Sequence, residues 1–256
     1  MGYASPSWLP DSLELVNTLF SKTSHAWLRY ESAALGFQKR RPSNANQPQE
    51  LFYTVHWMIL ERASSLMRVI AGKYRSRSLI APSGEQTRPT SDRLRETLFN
   101  VLGAAVEASV WLDLFAGSGA IGIEALSRGA VMVHFVESSP RAARVIRSNL
   151  GSLKIDAGFE ILERDVSAAL RQFEARAIAC DFCFLDPPYR KQQDYEQVLD
   201  FVARSRLLKP GAVVIAEHDK RFDPGESFAP LMRRRVLRQG DAVLSFYQPS
   251  ADDRIG

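Results

Sequence analysis

Two short segments of this chain carry residue types that could do chemistry together. The first, Asp186-Pro187-Pro188-Tyr189, follows the apolar run Phe182 to Leu185. Two consecutive prolines hold φ at about −65° and offer no N–H, so their carbonyls are rigid and left as acceptors. A carboxylate beside a fixed carbonyl can grip both hydrogens of a planar exocyclic amino group, and Tyr189 offers a face on which a base can stack. An aromatic amine is a poor nucleophile because its lone pair is delocalised into the ring. Accepting its two N–H bonds draws the nitrogen towards tetrahedral geometry, after which positioning and electrostatics supply most of the rate. Asp186, Pro187, Pro188 and Tyr189 are therefore the candidate catalytic residues.

The second segment is Asp113-Leu-Phe115-Ala-Gly117-Ser-Gly119, and with Gly122 its glycines spell G-x-G-x-x-G. Glycine suits a sharp turn whose backbone must approach a ligand. Glu137, at the end of the next apolar run, can accept hydrogen bonds from ribose hydroxyls. This much fits NAD, FAD or S-adenosylmethionine. Asp113 favours the last: a carboxylate before the glycines repels a pyrophosphate at the helix N-terminus but suits a ligand carrying an ammonium and a sulfonium. Asp165 could accept from an adenine amino group or, equally, cap the helix beginning at Val166. The candidate cofactor residues are Asp113, Phe115, Gly117, Gly119, Glu137 and Asp165.

The elements that must position these residues alternate. Strands are predicted at 110–115, 131–136, 159–162, 182–185 and 212–216, with a turn at Lys209-Pro210-Gly211 before the last. Helices are predicted at 119–127, from Pro140, from Val166 and at 195–203, and a terminal hairpin joins 231–237 to 242–247. Such alternation predicts an α/β, Rossmann-like, doubly wound and mostly parallel sheet with an antiparallel C-terminal strand, its ligands at the C-terminal strand ends. Ahead of it, Met67 to Ala81 reads as a hairpin. Thr90 or Ser91 then caps a helix with Leu94, Leu98, Val101 and Leu102 on one face, and Gly103 stops it.

Composition narrows the class. The chain has 256 residues, 45% hydrophobic and 24% charged, which is ordinary globular usage. Two cysteines cannot build a disulfide framework, no apolar run spans a membrane and no signal peptide opens the chain, so a cytoplasmic protein without a membrane partner is expected. Cys180 and Cys183 have no histidine at ligand spacing, so they read as core residues and no metal is expected. The net charge of +4 is mild, but residues 68–95 hold seven cations against two acids. Arg68, Lys73, Arg75, Arg77, Arg88 and Arg93 in that stretch are the candidate RNA-phosphate contacts. Arg88 and Arg93 could instead border the cofactor pocket. A second basic run, Arg233 to Arg235 with Arg238, lies in the terminal hairpin, where alternation divides it between two faces.

The Asp113–Gly119 and Asp186–Tyr189 motifs in one sheet resemble class I adenosylmethionine-dependent amino methyltransferases. Met67-Arg-Val-Ile-Ala-Gly-Lys-Tyr-Arg-Ser-Arg77 and Arg88-Pro-Thr-Ser-Asp-Arg-Leu-Arg-Glu-Thr-Leu-Phe-Asn100 make the resemblance closer to the RsmD family of bacterial 16S rRNA guanine-N2 methyltransferases. It covers Met67 to Gln248. It implies methylation of one guanine N2 in small-subunit rRNA, on an assembled or nearly assembled particle, by a monomer. Residues 1–66 match nothing in that family. They are read as a genuine extension or, in preference, an upstream start codon, and no ordered structure is expected of them. The expected organisation is thus an extension over 1–66, a basic arm over 67–109, the catalytic domain over 110–249 and a tail over 250–256.

Other readings remain open on the residues alone. Adenine N6 or a protein glutamine amide offers the same kind of nitrogen to Asp186, though the basic arm speaks against both. The glycines alone would suit an NAD-dependent oxidoreductase, but no hydride-transfer residues accompany them. A catalytically silent RNA-binding protein would share the arm.

Overall fold

The computed structural model describes residues 67–82, 91–188 and 192–250. The expectations for residues 1–66, for Arg88, for Tyr189 and for most of the tail fall outside the described residues. Strands β1 (Met67–Arg68) and β2 (Ser78–Leu79) pair antiparallel as the expected hairpin. Helix α1 (Asp92–Leu102) follows, its Leu94 N–H donating to the Ser91 side chain and Gly103 closing it. A short 3-10 turn, Gly103–Val106, leads into the sheet.

Then come β3 (Val110–Leu114), α2 (Ala120–Ser127), β4 (Met132–Val136), α3 (Pro140–Ser152), β5 (Phe159–Leu162), α4 (Val166–Ala175), β6 (Cys180–Leu185), α5 (Gln192–Arg204), β7 (Leu208–Asp219), β8 (Ser227–Phe228), β9 (Leu231–Gln239) and β10 (Ala242–Pro249). Among the described residues β3 to β10 form one sheet of eight strands in the order β5-β4-β3-β6-β7-β10-β9-β8. The first five, β5-β4-β3-β6-β7, are parallel. The antiparallel edge is the terminal hairpin, whose second strand β10 lies between β7 and β9, with β8 added outside. The fold is Rossmann-like, as the alternation predicts.

One predicted turn is wrong. Lys209-Pro210-Gly211 lies inside β7. Leu208 pairs with Cys180 and Val213 with Phe182, so β7 gains residues between the two pairs. Proline without an N–H and Gly211 at φ +82° are absorbed as a bulge instead of ending the strand.

Apolar residues pack on both faces of the sheet. On one, Trp111, Phe135, Phe184, Ile215 and Leu244 meet Leu94, Leu98 and Phe99 of α1, Ile121 of α2 and Ile146 of α3. Phe99 stacks on Trp111 at 5.4 Å, and Trp111 lies 4.7 Å from Phe182. Met67, Val69 and Leu79 of the hairpin join this same core. The other face carries α4 and α5 over Leu112, Leu114, Cys183 and Leu185. Cys180 and Cys183 are both buried and free, and burial pushes the Cys180 thiol up to about 12, so they serve as small apolar residues.

The hairpin is pinned by buried polar groups. Glu124 of α2 accepts from Ile70 N and Ala71 N at 2.7 and 3.0 Å. Asn149 of α3, fully buried, accepts from Ile80 N and donates to the carbonyls of Ile80 and Ser118, all within 2.8–2.9 Å. One amide thereby joins the hairpin to the glycine loop.

Candidate active site

Strand register brings the two motifs together. Val136, Leu114, Leu185 and Ala216 are level across β4, β3, β6 and β7. One residue further, Glu137, Phe115, Asp186 and Glu217 therefore stand in a row at the C-terminal edge, with neighbouring strands about 4.8 Å apart. Side chains two apart share a face, and Trp111, Phe135, Phe184 and Ile215 all point into the core beneath α1. Asp113, Glu137, Asp186 and Glu217 accordingly lie on that same side, four carboxylates converging on one corner.

Their electrostatics reflect this. Asp113 is buried, and its pKa rises from 3.8 to about 7, first through burial, opposed by the Gly122 N–H and reinforced by Glu137. Its Oδ2 accepts from Gly122 N at 3.0 Å, so the carboxylate also pins the first turn of α2. Asp186 is held well above the ordinary carboxylate range, by burial first and then by the charges of Glu217 and Asp113. Among the described residues nothing donates to the Asp186 carboxylate or to the Pro187 carbonyl. Both acceptors of the expected grip are left for a ligand.

The glycine loop has the features a close-bound ligand needs. Phe115 leaves β3 at φ +62°, a strained conformation for a bulky side chain. Gly117 and Gly119 follow at φ +56° and +77°. A Cβ on Gly117 would meet only the Phe115 carbonyl, at 3.9 Å, so the space before it is open. On Gly122 a Cβ would lie 2.3 Å from the Phe135 ring, which makes the third glycine a packing residue between α2 and the sheet. Glu137 holds the loop with one oxygen on Gly117 N at 2.8 Å and the other on Ser139 N at 2.7 Å. A carboxylate has acceptor sites beyond two such bonds.

Asp165 is exposed and accepts from Ser167 N at 2.8 Å as the cap of α4. The capping alternative is thus realised, with its second oxygen still outward. The arm cations spread widely. Lys73 N donates to the carbonyl of Ser127 at the far end of α2. This sets Lys73 and Arg75 about 12 Å along the helix from the glycine loop. Arg77 reaches the Ser152 carbonyl at 3.3 Å, and Arg68 pairs with Asp92 at 3.3 Å. Arg93, exposed on the first turn of α1, is the described arm cation on the edge where the carboxylates meet.

Sequence reasoning missed Glu217, Asn149 and Arg95. Glu217 carried a readable signal, an acid closing an apolar strand beside the one that ends in Asp186. For Asn149 and Arg95, which act through tertiary contacts, the sequence holds no comparable cue. His134 and His218 are buried structural groups, the first at 2.8 Å from Glu160 and the second at 2.9 Å from Ser245. Burial lowers the pKa of both. Among the described residues no group of three potential ligands could hold a metal, and no helix is long and apolar enough to cross a membrane.

Known proteins share this arrangement. Ribosomal RNA small subunit methyltransferase D of Haemophilus influenzae is 38% identical over 159 residues, covering 62% of this chain and 81% of that protein. YlbH of Bacillus subtilis is 36% identical over 182 residues, covering 71% of this chain and 98% of YlbH. The solved structure of yhhF from Escherichia coli matches with a TM-score of 0.64 at 31% identity, over 73% of this chain and 99% of that one. The family model described as Conserved hypothetical protein 95 spans residues 67–248, from the hairpin through the glycine loop and the Asp-Pro-Pro edge to the last strand. This chain belongs to that family, the RsmD family.

Proposed function

We propose that this chain is a methyltransferase that moves a methyl group from S-adenosylmethionine to the exocyclic N2 of a guanine in 16S rRNA. One observation carries the reading: the Asp186 carboxylate and the adjoining Pro187 carbonyl, without donors among the described residues, sit at a strand exit level with the glycine loop. The names of the Haemophilus and Escherichia relatives, both small-subunit rRNA methyltransferases, support the substrate class.

The residues fit the donor. Four carboxylates on one corner, two of them held above the ordinary range by mutual repulsion and burial, favour a cationic ligand over a pyrophosphate. Gly117 leaves room for close approach, and Glu137 offers ribose hydroxyls a carboxylate already fixed in place by its bonds to the loop. Asp113, Phe115, Gly117, Gly119 and Glu137 would hold the donor, with Asp165 at the adenine end. When bound, it supplies a methyl group on a sulfonium.

The chain's own residues do the rest. Asp186 and the Pro187 carbonyl accept the two N–H bonds of the guanine amine and aim its lone pair. Pro187 and Pro188 keep that carbonyl from turning away. Asp186, whose site raises its proton affinity, then takes the proton that the methylated nitrogen sheds. The base must be exposed, in a loop or extruded from its stack. We read the substrate as the small subunit or a late assembly particle, and the enzyme as a cytoplasmic monomer.

The test is methyl transfer from labelled donor to small-subunit particles, naked rRNA, DNA and protein fractions, with mapping of modified guanines. Label on one guanine N2 of 16S rRNA is expected. Asp186→Ala should cut the rate by about a hundredfold or more while leaving particle binding intact. Label in DNA or protein, or full activity in that variant, rejects the proposal.

A further inference from the structure

The geometry points to Arg95 as the residue that binds the carboxylate at the amino-acid end of the methyl donor; this rests on the adenosylmethionine reading above. Helix α1 crosses the sheet face that carries the four acids. Thr97 Oγ1 donates to Gln239 Oε1 at 3.0 Å, at the end of β9, while Phe99 stacks on Trp111 near the start of β3. The helix thus begins at the catalytic edge and runs away from it, and Arg95 lies in its first turns. The link to the glycine loop is short. Arg95 Nη2 donates to the Arg68 carbonyl at 2.7 Å, and the neighbouring Met67 Sδ lies 3.8 Å from Ser118 Oγ.

Arg95 is 0% exposed. Nη2 also donates to Asp92 Oδ1 at 2.6 Å, but Nε and Nη1 are buried with no partner among the described residues. A guanidinium stays ionised, and its donors cannot be switched off by losing a proton. The two buried histidines have lowered pKa values. Arg95 is therefore the permanently charged buried cation among the described residues, on the side of the sheet where Asp113, Glu137, Asp186 and Glu217 gather.

The donor's own charges explain why one such cation is wanted. Four acids attract a sulfonium and an ammonium but repel the carboxylate attached to the same carbon as that ammonium. A single buried guanidinium with N–H groups to spare reverses the sign at one place. An RNA phosphate is the competing anion, but a side chain closed to solvent is not open to a polymer backbone.

Calorimetric titration with S-adenosylhomocysteine and with its decarboxylated analogue, which keeps the ammonium, tests this without any turnover. The intact chain should bind the first about tenfold to a hundredfold more tightly. Arg95→Gln should erase that preference by weakening S-adenosylhomocysteine alone. Equal loss for both ligands, or a preference that survives the substitution, overturns the assignment. If that variant does not fold, Asp92→Asn decides, because it frees Nη2 from its carboxylate partner. A wider preference supports the role, and an unchanged or narrower one rejects it. An intact chain that binds both ligands equally rejects only Arg95; one that binds neither rejects the donor reading and Arg95 with it.

Discussion

Asp186 and Glu217 occupy adjacent strands, each one residue beyond the Leu185–Ala216 pair and on the same side of the sheet. Burial and then the Glu217 charge keep Asp186 above the ordinary carboxylate range. Accepting N–H bonds and a proton requires the ionised form, so the methylation rate should rise with pH as Asp186 ionises. Glu217→Gln removes the like charge and should move that ascending limb to lower pH, without abolishing it because burial remains. The Glu217 carbonyl, which accepts from Tyr195 Oη at 2.6 Å, is unaffected by the change. Single-turnover rates on small-subunit particles across pH read the shift. A limb that stays in place would show that Asp186 is not the titrating group.

Asp113 gives a stability signature. Its folded pKa of about 7 against 3.8 means the folded chain binds more protons than the unfolded one between those values. Its contribution is therefore present at low pH and lost as pH rises from about 4 through 7, by about 4 kcal/mol or less. Asp113→Asn keeps an oxygen for Gly122 N and has no charge to bury. The variant should gain on the native chain as pH rises, most clearly above pH 7. Denaturant unfolding at pH 5 and pH 8 measures the difference, and parallel curves at both would remove the buried charge from the account.

Gly117 and Gly122 should fail in different ways. An alanine at Gly117 meets open space, so the cost to folding is about 1 kcal/mol from its positive φ. The methyl group intrudes where the donor would lie, and affinity for S-adenosylhomocysteine should fall at least about tenfold. At Gly122 the new Cβ meets Phe135 at 2.3 Å and Val133 at 2.6 Å, which pries α2 from the sheet at about 1–3 kcal/mol. Unfolding midpoints and calorimetry separate the two. Normal affinity in Gly117→Ala would remove that loop from the donor site.

What the sequence made legible follows from how local each cause is. The α1 boundaries rest on Ser91 and Gly103, which act within one turn of their own position. The row of Glu137, Phe115 and Asp186 was readable because parallel strands of similar length end together at one edge. The Lys209-Pro210-Gly211 turn failed because a bulge against β6 rescued a local break through non-local pairing. Arg95 was counted as one of several arm cations, and nothing in its neighbours along the chain marks it as buried. Its environment is made by Arg68, 27 residues earlier, and by the sheet face beneath. Asn149 is the same case, with partners 69 and 31 residues away.

The spread of the arm cations yields a division of labour that salt can expose. Arg75 lies at the hairpin tip, beyond the far end of α2, whereas Arg93 stands on the first turn of α1 at the catalytic edge. Taking one cation away from a phosphate should lower the slope of log affinity against log salt by about 0.7 to 0.9. Arg75→Glu should therefore weaken particle binding and flatten its salt dependence, yet leave the rate at saturating substrate near normal, since the tip touches nothing at Asp186. Arg93→Glu should flatten the slope similarly and also slow the saturated rate, because a phosphate misplaced at that edge misplaces the base it carries. Filter binding across a salt series, with rates at saturating particles, separates KM from kcat for the two variants. If Arg75→Glu leaves both affinity and slope unchanged, the hairpin tip is a solvated surface and docking falls to the catalytic edge alone.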